Sequence, residues 1–121
     1  MLNALPLTQK TKGLFNYEFF KRMKKSAVMI NVGRGKSIIE DDLIRSIKEG
    51  LIYGAALDVY ASEPLPETSA LWEMDRVLMT YHNITNTEQY WDSLVEGFKN
   101  EVLNFINGKG FNKVFNKAMG Y

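Results

Sequence analysis

Residues 27–59, AVMINVGRGKSIIEDDLIRSIKEGLIYGAALDV, decide the fold. They open on a short, nearly continuous apolar run over 27–32, which predicts a strand buried on both faces, as in a parallel sheet. Gly33-Arg34-Gly35 breaks the run. Residues 40–49 then place Leu43, Ile44 and Ile47 on one stripe, with Gly50 where a helix would stop. A second apolar run, 52–59, follows, and its small centre Gly54-Ala55-Ala56 would let a helix pack closely. Strand, helix and strand joined by short links predict a parallel sheet with right-handed crossovers.

The same alternation continues outward. Residues 5–13 (LPLTQKTKG) read as a loop, with a strand ending near Leu5. Asn16 can cap a helix that carries Phe15, Phe19 and Met23 on one face. Residues 63–66 form an extended loop, and 77–80 form a third, shorter strand. A long helix is expected from Thr87 to Asn107. Its Trp91, Leu94, Val95, Phe98, Val102, Phe105 and Ile106 recur at three- and four-residue steps, a stripe that reads as core or interface packing. Gly108-Lys109-Gly110 ends it.

Composition narrows the function classes. With 121 residues, 45% of them hydrophobic, the chain has the size and apolar content of one ordinary domain rather than of a disordered segment. Fifteen Lys and Arg against fourteen Asp and Glu give a net charge of +1, so no strongly basic nucleic-acid footprint is present. There is no cysteine and one histidine, which excludes a disulfide framework, thiol catalysis and Cys- or multi-His metal sites. No apolar run approaches the ~20 residues of a spanning helix, so no membrane role is expected. The absence of a leader-like start and of cysteines points to a cytoplasmic, reducing setting.

In open parallel sheets, ligands bind outside the carboxyl ends of the strands. The polar singletons fall there. Arg34 follows the first clear strand, Asp58 lies near the end of the second with Glu63 just beyond, and His82 follows the third. His82 is the side chain suited to proton transfer near neutrality, and Glu63 could be the carboxylate beside it; the bland alternative is a surface loop histidine. Arg34, between two glycines, can grip a carboxylate through two parallel hydrogen bonds, or it is a solvated arginine in a turn. Asp58 interrupts an apolar strand, so it either meets a ligand or caps nearby backbone amides. Glu63 and His82 could also be read as a hydrolytic acid–base pair, but no Ser or Cys nucleophile elbow accompanies them. The basic run Lys21, Arg22, Lys24, Lys25 reads as a solvated face.

The strings LPLTQKTKG (5–13), INVGRGKSIIEDDLI (30–44) and IYGAALDVYASEPLP (52–66), followed by the isolated His82, resemble the second half of the nucleotide-binding domain of D-isomer-specific 2-hydroxyacid dehydrogenases. The resemblance covers nearly the entire chain, most firmly residues 5–82. It implies an α/β fold: a partial Rossmann-like parallel sheet with flanking helices, half of a doubly wound NAD-binding domain. It also implies exchange of a hydride between NAD or NADP and a small 2-keto or D-2-hydroxy acid. Within it, Arg34 would hold the substrate carboxylate and carbonyl, His82 would give a proton to the developing alkoxide, and Glu63 would hold the imidazole and keep its pKa high enough to donate. The family's cofactor contacts would fall on Leu5 and Pro6, on Val32, Gly33 and Arg34, on Asp58, and on the segment from His82 to Thr85. No metal is implied.

The departures are specific. No G-x-G-x-x-G loop occurs in these 121 residues, although the family uses one to cradle the pyrophosphate. Tyr81 stands where the family usually has proline, and Asn83-Ile84-Thr85 replaces a smaller, glycine-containing turn. The expectation is a C-terminal portion of a dinucleotide-binding domain, spanning 1–121, without its glycine-rich half and without a substrate domain. Such a half-domain leaves an exposed sheet edge and uncovered apolar faces. It is therefore expected to form a homo-oligomer or to bind the missing half, and to turn over little by itself. A non-catalytic remnant acting as an interaction or oligomerisation module is the alternative.

Overall fold

The computed structural model describes residues 1–83, 87–112 and 114–119, which fall into two compact units, Met1–His82 and Asn83–Tyr121. The first unit holds a four-stranded sheet: β1 (Leu2–Asn3), β2 (Val28–Asn31), β3 (Gly54–Leu57) and β4 (Val77–Met79), in the order β1-β2-β3-β4. Every pairing is parallel. The three strands expected from the sequence therefore lie side by side and point the same way, joined by β1.

The first two connections carry the α-helices α1 (Tyr17–Phe20) and α2 (Glu40–Lys48), and the third carries a short 3-10 turn at Ala70–Glu73. Asn16 caps α1, its side chain accepting the Phe19 amide at 3.0 Å. The helix is a single turn, shorter than the apolar spacing suggested. Phe15 lies before it in a parallel bridge to Ile38, and Met23 lies beyond it. The chain turns at 20–23, where the Met23 amide bonds the Phe20 carbonyl, and Phe20 becomes the fully buried residue. α2 carries Glu40, Asp41 and Asp42 in its first turn, which suits the positive end of the helix dipole, and it buries Leu43, Ser46 and Ile47. The helices are stapled together by the Tyr17 amide donating to Asp42 at 2.9 Å and by the Tyr17 hydroxyl donating to Glu49 at 2.5 Å.

The core is built from Phe20, Met29, Leu43, Ile47, Ile52, Leu57 and Leu71 with their neighbours. The ladders are shorter than the apolar runs of the sequence, and only one face of the sheet is covered within this unit. Along the strands, side chains alternate between faces. Asn3, Asn31 and Leu57 share a buried row, whereas the in-register row Leu2, Ile30, Ala56 and Leu78 faces outward, with Leu2 62% and Leu78 68% exposed. The expectation of strands buried on both faces is thus met on one. Consecutive right-handed crossovers that step in one direction along a sheet put their helices on the same side.

The second unit is dominated by α3 (Glu88–Ile106), capped by the Thr87 hydroxyl, which accepts the Tyr90 amide at 3.2 Å. Its Trp91, Leu94, Val95, Phe98, Phe105 and Ile106 are exposed. No described helix is long and apolar enough to cross a membrane.

Candidate functional site

The carboxyl ends of β2, β3 and β4 deliver Arg34, Asp58, Glu63 and His82 to one rim. Arg34 lies just beyond β2 in extended backbone (φ −140°, ψ 135°), and its Nη1 donates to the Gly33 carbonyl at 2.8 Å. The backbone here rests on a buried polar network. The Asn3 amide nitrogen donates to Asn31 Oδ1 and to Ser37 Oγ, each at 2.7 Å. Asn31 Oδ1 also accepts the Gly33 amide at 3.2 Å. The Arg34 carbonyl accepts the Ser37 hydroxyl at 2.6 Å and the Asn31 amide nitrogen at 3.3 Å. Asn3, Asn31 and Ser37 are 1%, 0% and 0% exposed, so these bonds are made where water does not compete.

Asp58, one residue past β3, is buried and accepts a hydrogen bond from the Thr80 hydroxyl. Glu63 Oε1 accepts the Tyr60 amide at 2.9 Å, while Oε2 meets His82 Nδ1 at 2.8 Å. Burial pushes the Glu63 carboxyl upward, but the Tyr60 amide, the His82 hydrogen bond and the charges of His82 and Arg34 together outweigh it, leaving Glu63 below the usual carboxylate range. An ionised carboxylate has only acceptors, so the proton between the two groups sits on Nδ1 and Nε2 is the nitrogen left for a reacting group. His82 itself occupies left-handed backbone at φ +58°, an uncommon conformation for a residue with a side chain.

This pair lines a cleft of about 440 Å³ together with Tyr60, Pro64, Leu65, Trp72, Met79, Thr80 and Tyr81. Arg34 and Asp58 do not line it, so the cleft takes in only the Glu63–His82 part of the polar rim. Burial, and then the charges of Asp58, Glu63 and Glu40, push the Tyr60 phenol upward and keep it a donor.

The residues that the resemblance assigns to a dinucleotide fall into neighbouring loops. Leu5 and Pro6 follow β1, Val32 and Gly33 follow β2, and a side chain on Gly33 would come within 2.7 Å of the Leu5 carbonyl, so the two loops are in contact. Asp58 completes this group at the end of β3, and Thr85 lies outside the described residues. The close approach at Gly33 leaves backbone, not a side chain, facing the Leu5 loop, which is the kind of surface a flat ring can lie against. The diphosphate finds no counterpart at α2, whose acidic first turn repels phosphate. Among the described residues no cluster of His, Cys, Asp and Glu could hold a metal ion.

Sequence reasoning missed Asn3, Asn31, Ser37, Tyr60 and Thr80. Asn31 carried a usable signal, since a polar residue inside a buried strand must find partners, the argument already applied to Asp58. Tyr60 and Thr80 carried none, because their roles depend on which loops meet.

The family model for the D-isomer specific 2-hydroxyacid dehydrogenase, NAD binding domain, matches residues 1–83. Glyoxylate/hydroxypyruvate reductase A of Enterobacter sp. (strain 638) is 35% identical over 121 residues, covering 100% of this chain and 38% of that protein. A probable 2-hydroxyacid dehydrogenase from Rhizobium etli, solved with NADP, HEPES and L(+)-tartaric acid, superposes with a TM-score of 0.86 at 36% identity, over 99% of this chain and 39% of that one. The NADPH-dependent glyoxylate/hydroxypyruvate reductase of Sinorhizobium meliloti, solved with NADP and sulfate, gives 0.87 at 32% identity, over 99% of this chain and 39% of that one. The chain spans between 26% and 38% of the length of the curated relatives it matches.

Proposed function

This chain belongs to the D-isomer specific 2-hydroxyacid dehydrogenase family, and on that premise we propose that it is the C-terminal portion of the dinucleotide-binding domain of a cytoplasmic enzyme that reduces small 2-keto acids with NADH or NADPH. The observation that carries this reading is the 2.8 Å contact between Glu63 and His82 on the rim that also bears Arg34.

The bound dinucleotide supplies the hydride that the carbonyl carbon receives. The chain's own residues do the rest. Arg34 grips the substrate carboxylate with paired guanidinium donors and polarises the adjacent carbonyl. His82 gives its Nε2 proton to the oxygen as it becomes an alkoxide, so that one hydride and one proton yield the 2-hydroxy acid. Glu63 holds Nδ1 and stabilises the charged imidazole. Leu5, Pro6, Val32 and Gly33 would bound the nicotinamide end of the cofactor, Asp58 would meet its carboxamide, and Thr85 would help close the pocket. The diphosphate would be held by another segment.

The outward row Leu2–Ile30–Ala56–Leu78 and the apolar face of α3 favour association with a second chain, either a copy or a complementary half-domain. The same surfaces favour the second reading, a non-catalytic interaction module. A chimera separates the two. The matching region of the Enterobacter reductase is replaced by this chain, and glyoxylate and hydroxypyruvate reduction is followed by NADPH and NADH absorbance. The enzyme reading expects turnover that Arg34→Ala and His82→Ala abolish, with little or none from the 121 residues alone, because positioning of cofactor and substrate supplies most of the rate. A folded, cofactor-binding chimera without turnover would leave the interaction module.

A further inference from the structure

Tyr60 touches each of the three segments that carry the candidate chemistry. Its carbonyl packs against the Arg34 loop so tightly that a side chain on Gly35 would lie 1.8 Å from it. Its amide donates to Glu63 Oε1 at 2.9 Å. Its hydroxyl donates to the Thr80 carbonyl at 2.7 Å and lies 3.2 Å from the Leu57 carbonyl. Thr80 in turn holds Asp58 through its hydroxyl and leads, two residues on, to His82. The last ladder bond of the edge strand β4 runs from the Thr80 amide to Leu57 at 3.0 Å. Beyond it, His82 stands in left-handed backbone with its ring about half exposed. The sheet alone therefore does not fix where the imidazole sits.

We propose that Tyr60 is a positioning residue for the Glu63–His82 pair. Its amide holds one partner and its hydroxyl holds the segment that carries the other, so the two meet at hydrogen-bonding distance. It acts through Glu63 and His82 and does not itself touch the reacting atoms. The purpose of this arrangement rests on the reductase reading, but the geometry can be tested without turnover. A phenol is already protonated over the physiological range, and burial pushes this one further up, so the strut is a donor throughout it.

His82 is the sole histidine, so the imidazole gives one set of nitrogen signals by NMR in the full 121-residue chain labelled with ¹⁵N-histidine. At a pH where the ring is neutral, the wild-type chain should carry its proton on Nδ1, read from the separate ¹⁵N shifts of the two ring nitrogens. Tyr60→Phe removes one oxygen and keeps the ring and the amide. It should keep the dispersed backbone spectrum of a folded chain yet lose the Nδ1–H signature, its two ¹⁵N shifts moving together as both tautomers become populated. In the active chimera, Tyr60→Phe should lower kcat about ten- to hundredfold with KM little changed, the size expected when reacting groups are misplaced by a fraction of an ångström to an ångström. An unchanged imidazole signature in folded Tyr60→Phe overturns the proposal, as does a wild-type ring with its proton on Nε2. Should Tyr60→Phe not fold, the wild-type Tyr60 hydroxyl decides: a slowly exchanging hydroxyl proton with a cross-peak to Thr80 supports the strut, and a freely exchanging one overturns it. A chimera without turnover, alongside a lost Nδ1–H signature in Tyr60→Phe, would sink the reductase reading and leave the positioning role intact.

Discussion

Replacing Asn31 by alanine tests whether the Arg34 loop is held by buried hydrogen bonds. Asn31 is 0% exposed. Its Oδ1 accepts one proton from Asn3 at 2.7 Å and the Gly33 amide at 3.2 Å. Its amide nitrogen donates to the Arg34 carbonyl, but that carbonyl keeps the Ser37 hydroxyl at 2.6 Å and the Ser37 amide at 3.1 Å. The substitution therefore orphans two donors, the Gly33 N–H and one Asn3 N–H. A buried donor left unsatisfied costs about 1–3 kcal/mol, so Asn31→Ala should destabilise by about 2–6 kcal/mol. With a urea m-value of about 2 kcal/mol/M, the middle of the range for small proteins, the unfolding midpoint should fall by about 1–3 M. Ser37→Ala is the internal control. It orphans one donor, the second Asn3 N–H, and should lose about half as much. Both are read by urea unfolding followed by circular dichroism. An Asn31→Ala midpoint within about 0.3 M of the parent, or a loss no greater than that of Ser37→Ala, would refute the reasoning, because water would then be replacing the amide at no cost. In the active chimera the same change should raise KM for the keto acid, since it loosens the backbone that aims Arg34.

Other predictions follow from the same contacts. The Glu63 carboxyl is depressed from its ordinary 4.5, so its contribution to stability is present above pH 4.5 and is lost as pH falls through the lower folded value. Its side chain is 37% exposed, so solvent screening limits that contribution to about 0.2–1 kcal/mol. The urea-midpoint gap between wild type and Glu63→Gln should then narrow between pH 7 and pH 3, and a gap independent of pH would contradict the assignment. Gly35→Ala drives the new Cβ to 1.8 Å from the Tyr60 carbonyl oxygen, a backbone atom that cannot swing aside, and should lower the thermal midpoint by about 5 °C or more. Gly110→Ala, with nothing within 4 Å, should leave it unchanged, and equal midpoints for the two would refute the close approach. Leu78→Lys places a charge on the outward sheet row and should reduce self-association in light scattering behind size exclusion without lowering the thermal midpoint. Unchanged association would remove this row from the interface.

The sequence by itself determined the layering and direction of the sheet. The apolar runs at 27–32, 52–59 and 77–80, the first two separated by a helical segment and the last two by an extended loop, leave a parallel sheet with one crossover hand as the simple solution. Parallel strands in turn send Arg34, Asp58, Glu63 and His82 to one rim. Local pattern also found the Asn16 cap and the amphipathic α3. It overextended α1, because a 3.6-residue spacing says nothing about how soon the chain must return to β2. Only the tertiary structure decided that Glu63 meets His82 Nδ1, that Thr80 holds Asp58, and that Tyr60 ties the loops together, contacts that join residues 19, 22 and 20 positions apart. It alone showed that Asn3, Asn31 and Ser37 share one buried network and that the row from Leu2 to Leu78 is left exposed at its two ends. Periodicity is a property of neighbours along the chain. Hydrogen bonds between loops depend on strand register and on the paths of the connections, which become fixed only when the whole unit packs.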